Sequence, residues 1–159
     1  MKALLTILTA LLLLGCAITP TSHQKLTQGY PFGSTHDFVL AALTANQYEP
    51  FDVSEDVIWY DNLISGYKVS AGLFFDADQR YSGATWLVWD RSAAAFEAVN
   101  ETLANYYAVD FIDVSADGIT KFELSHEGTR VLHVRDPSED SHSVYYYRMG
   151  SHSYTNLVE

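Results

Sequence analysis

Four histidines, His126, His133, His142 and His152, fall in the last third of this 159-residue chain, near Asp136, Glu139 and Asp140. Imidazoles beside carboxylates are a donor set for zinc, but such sites need ligands at set spacings, and none of these spacings fits. His133 alternates with Leu132 and Val134, which points it away from those apolar neighbours, so surface histidines and no metal are expected. Asp76-Ala77-Asp78 opens like a calcium loop. Arg80, Tyr81 and Leu87 then stand where a third ligand, a glycine and a closing glutamate are required, so a hairpin turn is expected instead. No G-x-S-x-G occurs, which removes the nucleophile elbow. Glu97 and Glu101 share the solvent side of a helical stretch, and no two carboxylates can be nominated for a cleft. With no catalytic constellation and no cofactor motif, a non-enzymatic protein is expected.

Cys16 is the only cysteine, and its position carries more information than its thiol. It follows Met1-Lys2 and an apolar run from Ala3 to Leu14 interrupted only by Thr6 and Thr9. A basic start and a short apolar run are the n- and h-regions of a secretory signal. A spanning helix would need roughly 20 apolar residues. Leu13-Leu14-Gly15-Cys16 resembles the lipobox of bacterial lipoproteins. That resemblance implies that Leu13, Leu14 and Gly15 are read by a signal peptidase, which cuts before Cys16. It further implies a diacylglycerol on the Cys16 sulfur and usually an acyl chain, palmitate among them, on the new amino group. One acyl chain holds a protein only marginally, whereas two or more anchor it. Ala17 stands where enterobacterial lipoproteins retained at the inner membrane have aspartate. The resemblance therefore implies the outer membrane, facing the periplasm, where a source has two membranes.

Residues 1–15 are thus expected to be a signal peptide, 16–29 the lipidated cysteine and a tether, and 30–159 a single domain. A linker of the tether's length averages ~20 Å end to end, so the domain should sit close to the membrane. Eight basic and twenty acidic residues follow residue 15, a net charge of −12 with histidine neutral. Such a surface argues against nucleic acid, whose binding rests on neutralised phosphates, and discourages adhesion to anionic headgroups, so the lipid must do the anchoring. Three Trp, eight Phe and eleven Tyr exclude wholesale disorder.

Two helices are expected, at about 36–46 behind the Ser34–Asp37 capping pair and at about 92–107 with a Phe96, Val99, Leu103, Tyr106 stripe. Strands are expected at 57–60, 67–76, 83–90, 120–125, 130–135 and 143–149. FDVSEDVI at 51–58 matches IDVSADGI at 112–119, which suggests a tandem repeat over about 34–90 and 92–149. The expected fold class is therefore α+β: two layers, a tandem repeat of helix plus three antiparallel strands, with two helices on one face of a six-stranded sheet. This plan resembles the β-lactamase inhibitor protein fold. Gly33, Ser34 and Val39 after a lipobox are similar to the small lipoprotein of the outer-membrane β-barrel assembly machinery, although Asn46-Gln47-Tyr48-Glu49-Pro50 stands where that family has Gly-x-Pro.

With helices on one face only, some strand aromatics must lie on the other. Arg148 shares a face with Tyr146, and arginine is seldom buried, so Tyr146 is expected on the uncovered face. The repeat places Trp86 there too, with Leu87, Tyr145 and Tyr147 packed beneath the helices. Trp86, Tyr146 and Arg148 are then the candidate interaction surface. The expected function is a membrane-anchored, non-enzymatic module that binds an envelope protein, the alternative being a binder of cell-wall or envelope polysaccharide through the same rings.

Overall fold

The computed structural model describes residues 30–126 and 128–148. The expected signal peptide with Leu13, Leu14 and Gly15, the lipidated Cys16, the tether, and His152 lie outside the described residues. Helix α1 (His36–Ala45) starts at Thr35, whose hydroxyl accepts from the Phe38 N–H at 3.3 Å. Helix α2 (Ala93–Ala104) starts at Ser92, which caps Ala95 N–H at 3.1 Å and is itself held by the Asp90 carboxylate. Each cap satisfies one of the N–H groups that a helix start leaves unpaired. Among the described residues no helix is long and apolar enough to cross a membrane.

The other named elements among the described residues are strands. β1 (Pro50–Val53), β2 (Val57–Ile64), β3 (Tyr67–Phe75) and β4 (Tyr81–Val88) precede α2, and β5 (Ala108–Val114), β6 (Thr120–His126), β7 (Thr129–Arg135) and β8 (His142–Arg148) follow it. All eight form one antiparallel sheet in the order β1-β2-β3-β4-β8-β7-β6-β5. The β2–β3 hairpin turns on Ser65-Gly66, both at positive φ (52° and 84°), the twist that suits a two-residue hairpin loop.

This corrects the expected six-stranded tandem repeat of helix plus three strands. Among the described residues eight strands dominate, and each helix is followed by four of them. The two strands absent from the expectation, β1 and β5, are the sheet's edges, and each carries a bulge, at Pro50/Asp52 and Val109/Phe111. A bulge inserts a residue and breaks the alternation by which strands are recognised. The matched stretches 51–58 and 112–119 form first hairpins, but Val53 pairs with Ile58 whereas Val114 pairs with Thr120. The second loop is thus one residue longer, and the residue-for-residue correspondence fails inside the turn.

A single core lies between the sheet and the helices. Val39 and Leu43 of α1 and Phe96, Val99 and Leu103 of α2 pack on Ile58, Tyr60, Val69, Leu73, Trp86, Val88, Leu124, Val131, Val144 and Tyr146. Phe32, from the segment before α1, stacks on Tyr81 (5.5 Å between centroids) and on Tyr146 (5.3 Å). Burial pushes the Tyr30 phenol up to about 12 and the Tyr81 phenol well above its usual value, so both stay neutral.

Candidate functional site

Cross-strand registers sort every sheet residue onto the helix-covered face or the uncovered one. Ala84, Trp86 and Val88 pair with Tyr146, Val144 and His142, all on the covered face. Trp86 and Tyr146 are therefore core residues, each 3 % exposed, with ring centroids 6.3 Å apart. This overturns the surface expected of Trp86 and Tyr146. Arg148 does share their face and is exposed, because it is the last residue of β8. Its exposure reports the end of the covered layer, not the direction of the face. Leu87, Tyr145 and Tyr147, expected beneath the helices, point the other way.

The uncovered face is built in rows. One row reads Trp59, Gly72, Thr85, Tyr145, Leu132 across β2, β3, β4, β8 and β7. The next reads Val57, Phe74, Gly83, Tyr147, Arg130. Small residues at the centre leave room for rings. A Cβ on Gly72 would stand 2.8–2.9 Å from three carbons of the Trp59 indole, so that ring lies directly over the glycine. Phe74 meets Trp59 edge-on at 6.3 Å. Toward one end, Trp89 is 53 % exposed yet held: its Nε1–H donates to Ser70 Oγ (3.0 Å), which donates to Asp61 Oδ1 (2.9 Å). Lys68 pairs with the other Asp61 oxygen at 3.3 Å. Toward the β5 edge, Arg130 pairs with Glu123. The result is a face of aromatic and aliphatic surface with charged flanks. Trp59 and Trp89 are the rings of this face that the sequence reasoning did not place on it. The signal was present, since Ala84, Trp86 and Val88 are uniformly apolar while the alternate set contains Gly83 and Thr85.

The covered face holds two buried histidines. His133 and His142 are 0 % and 1 % exposed, which corrects their expected place on the surface. His133 Nε2 meets His142 Nδ1 at 2.5 Å, and His133 Nδ1 meets Asn100 Oδ1 of α2 at 2.6 Å. Phe96 stacks over His133 at 4.1 Å. Burial, with His142 adjoining, holds His133 well below the usual imidazole value, and burial pulls His142 down to about 4. Both rings are neutral at neutral pH. Among the described residues no three His, Cys, Asp or Glu side chains come together as a metal site.

A cleft of about 410 Å³ at the start of α2 is lined by Asp90, Arg91, Ser92, Arg135, Asp136, Pro137 and Glu139. Two of its three carboxylates are structural acceptors. Asp90 takes the Ser92 N–H and Asp136 takes the Ser138 N–H and hydroxyl, and these bonds lower both pKa values. A general acid needs the opposite shift. Asp76 likewise accepts from Asp78 and Arg80 N–H groups inside the β3–β4 turn.

Comparison with family models, with curated proteins and with solved structures finds no match for this chain.

Proposed function

We propose that the protein is a lipid-anchored envelope lipoprotein, held by Cys16 at the outer membrane and facing the periplasm, that acts as a non-enzymatic interaction module. Its docking surface is the uncovered face of the sheet, and its partner is a protein presenting apolar surface with basic flanks. The observation that carries this reading is the platform of Trp59 over Gly72, Phe74, Tyr145, Leu132 and the tethered Trp89. Tyr and Trp dominate binding energy at interfaces, and a ring already fixed by packing or a hydrogen bond loses little entropy on docking. Eight strands at their usual spacing are about 34 Å across, a breadth sufficient for the ~800 Å² each partner contributes to a stable complex. The chain's net charge of −11 selects a basic partner over an acidic one.

Photo-crosslinking in intact cells tests this. A photoreactive residue at Leu63 or Val134, on the uncovered face, should give one discrete protein adduct, weakened at least tenfold by Trp89→Ala combined with Trp59→Ala. A residue placed at Asp78, in the β3–β4 turn, should give none. An adduct that is carbohydrate and shows the same dependence would replace the protein partner by an envelope polysaccharide. An adduct independent of both tryptophans would remove the face from consideration.

A further inference from the structure

The two helices among the described residues do not fill the layer they occupy. A sheet of eight strands is about 34 Å across, while each helix covers about 10 Å of it. The shortfall falls at β5. Val109 and Ile112 pair with Leu124 and Phe122, which are core residues, and Val114 pairs with Thr120 on that same face. Yet Val109, Ile112 and Val114 are 47, 59 and 63 % exposed. They have the chemistry and the direction of core residues, and no described residue buries them. α2 stops short of them because its other flank is tied inward: Ser65 at the β2–β3 tip bonds Thr102 Oγ1 at 2.5 Å and the Ala98 carbonyl at 3.2 Å.

Between α2 and this uncovered strip runs a groove of about 350 Å³, lined by Glu97, Asn100, Glu101, Ala104 and Phe122. Phe122 forms its floor, and Ile112 continues that floor onto β5 by register. Its helical wall carries two carboxylates and no basic residue. We propose that this lane is a second docking site, distinct from the uncovered face, which takes an amphipathic helix from a partner protein. The helix lies beside α2, with an apolar stripe on Phe122, Ile112 and Val114 and lysine or arginine toward Glu97 and Glu101.

The choice of occupant follows from size and charge. β5 is seven residues long, about 23 Å, which a helix of about 15 residues matches. A helix alongside α2 covers the strip and the groove together. An added strand would extend the sheet beyond β5 and leave Ile112 and the groove beside Phe122 uncovered. The two glutamates reject a second copy of this acidic chain and favour a basic stripe.

The test uses the purified protein and a synthetic 15-residue probe of leucine and lysine, with leucine at positions i, i+3, i+4 and i+7. The same peptide with glutamate in place of lysine is the control. The lysine probe should become helical on mixing and shift the methyl resonances of Val109, Ile112 and Val114. Ile112→Ser with Val114→Ser, both at exposed positions, should weaken it at least tenfold. Glu97→Gln with Glu101→Gln should weaken it severalfold, less so at high salt. Trp59→Ala should leave it unchanged, which separates this lane from the uncovered face. Equal binding of the glutamate probe would overturn the proposal, as would shifts confined to Trp59 and Trp89 or indifference to Ile112 and Val114. A probe that binds as an extended strand would also overturn it. So would self-association of the protein alone that the Ile112→Ser variant abolishes, which would put a second copy in the lane.

Discussion

His133 and His142 share one hydrogen bond, 2.5 Å long, in the core beneath α2. A neutral imidazole has one donor and one acceptor. Asn100 Oδ1 accepts from His133 Nδ1, so His133 Nε2 must accept from His142 Nδ1. His142 Nε2 is left as an acceptor, buried with no hydrogen-bond partner among the described residues. A proton placed on His133 breaks the bond between the rings, and one placed on His142 creates a buried cation. Asp90 would favour that cation, and Arg135 would oppose it.

Stability should accordingly fall on acidification. Both histidines have folded values below the ~6.5 of the unfolded chain. Above that value neither state binds the protons and the fold keeps its full stability. Below it the unfolded chain takes up protons that the folded one refuses, so stability declines from about 6.5 down toward 4, the folded value of His142. Each histidine contributes a slope of up to ~1.4 kcal/mol per pH unit. Urea midpoints between pH 7 and 4.5 should show this decline, and a His133→Leu, His142→Leu, Asn100→Leu variant should flatten it. Parallel slopes in the two proteins would mean that carboxylates alone set the acid sensitivity.

Trp86 and Trp89 are three residues apart and should behave oppositely. Trp86→Ala removes a ring from the core and should cost ~3–5 kcal/mol, as should Tyr146→Ala. Trp89→Ala loses exposed surface and one hydrogen bond to Ser70, so about 1 kcal/mol is expected. Denaturant unfolding of the three variants distinguishes the faces. A tolerated Trp86→Ala beside an unfolding Trp89→Ala would reverse them.

Helices and inner strands were legible because their signals are local. Ser92 caps α2 and Phe96, Val99 and Leu103 recur along it, while β3 alternates Val69, Ala71, Leu73 and Phe75. The edges were not legible, since a bulge in Pro50–Val53 and another in Ala108–Val114 break that alternation. The candidate face was legible as a set of rings and not as a direction. Alternation says that Trp86 and Leu87 oppose one another, and only the extent of the helical layer says which is covered. Arg148 misled because a strand's last residue escapes burial on either face. The histidine pair was hidden for another reason: the two rings are nine residues apart and satisfy each other only once β7 and β8 pair, with Arg135 opposite His142.

Cys16→Ser tests the anchor. Thioether formation needs the sulfur, and a serine hydroxyl does not become a comparable nucleophile at neutral pH. The variant should accumulate as an uncleaved precursor that takes up no labelled palmitate. A Cys16→Ser protein that matures and fractionates with membranes as before would refute the lipid anchor while leaving the sheet surfaces untouched.

Gly72→Ala should separate the surface from the fold. The new methyl would stand within 2.8–2.9 Å of the Trp59 ring, too close to remain, so something must move. The atoms in the way are the far end of a half-exposed side chain, not backbone, so the indole can lift away. Lifting it forfeits contact with Phe74. Against that loss, alanine is favoured over glycine inside a strand by ~0.5–1 kcal/mol, because glycine surrenders more backbone freedom on folding. The two effects nearly cancel, and net stability should change by less than about 1 kcal/mol. The tryptophan environment should nonetheless change, visible as a shifted Trp59 indole resonance and altered near-ultraviolet circular dichroism. Capture of the partner on the uncovered face should fall with it, since the ring no longer lies flat. Unfolding by several kcal/mol would show that Trp59 is clamped, and unchanged capture with a displaced ring would show that Trp59 is no part of the docking surface.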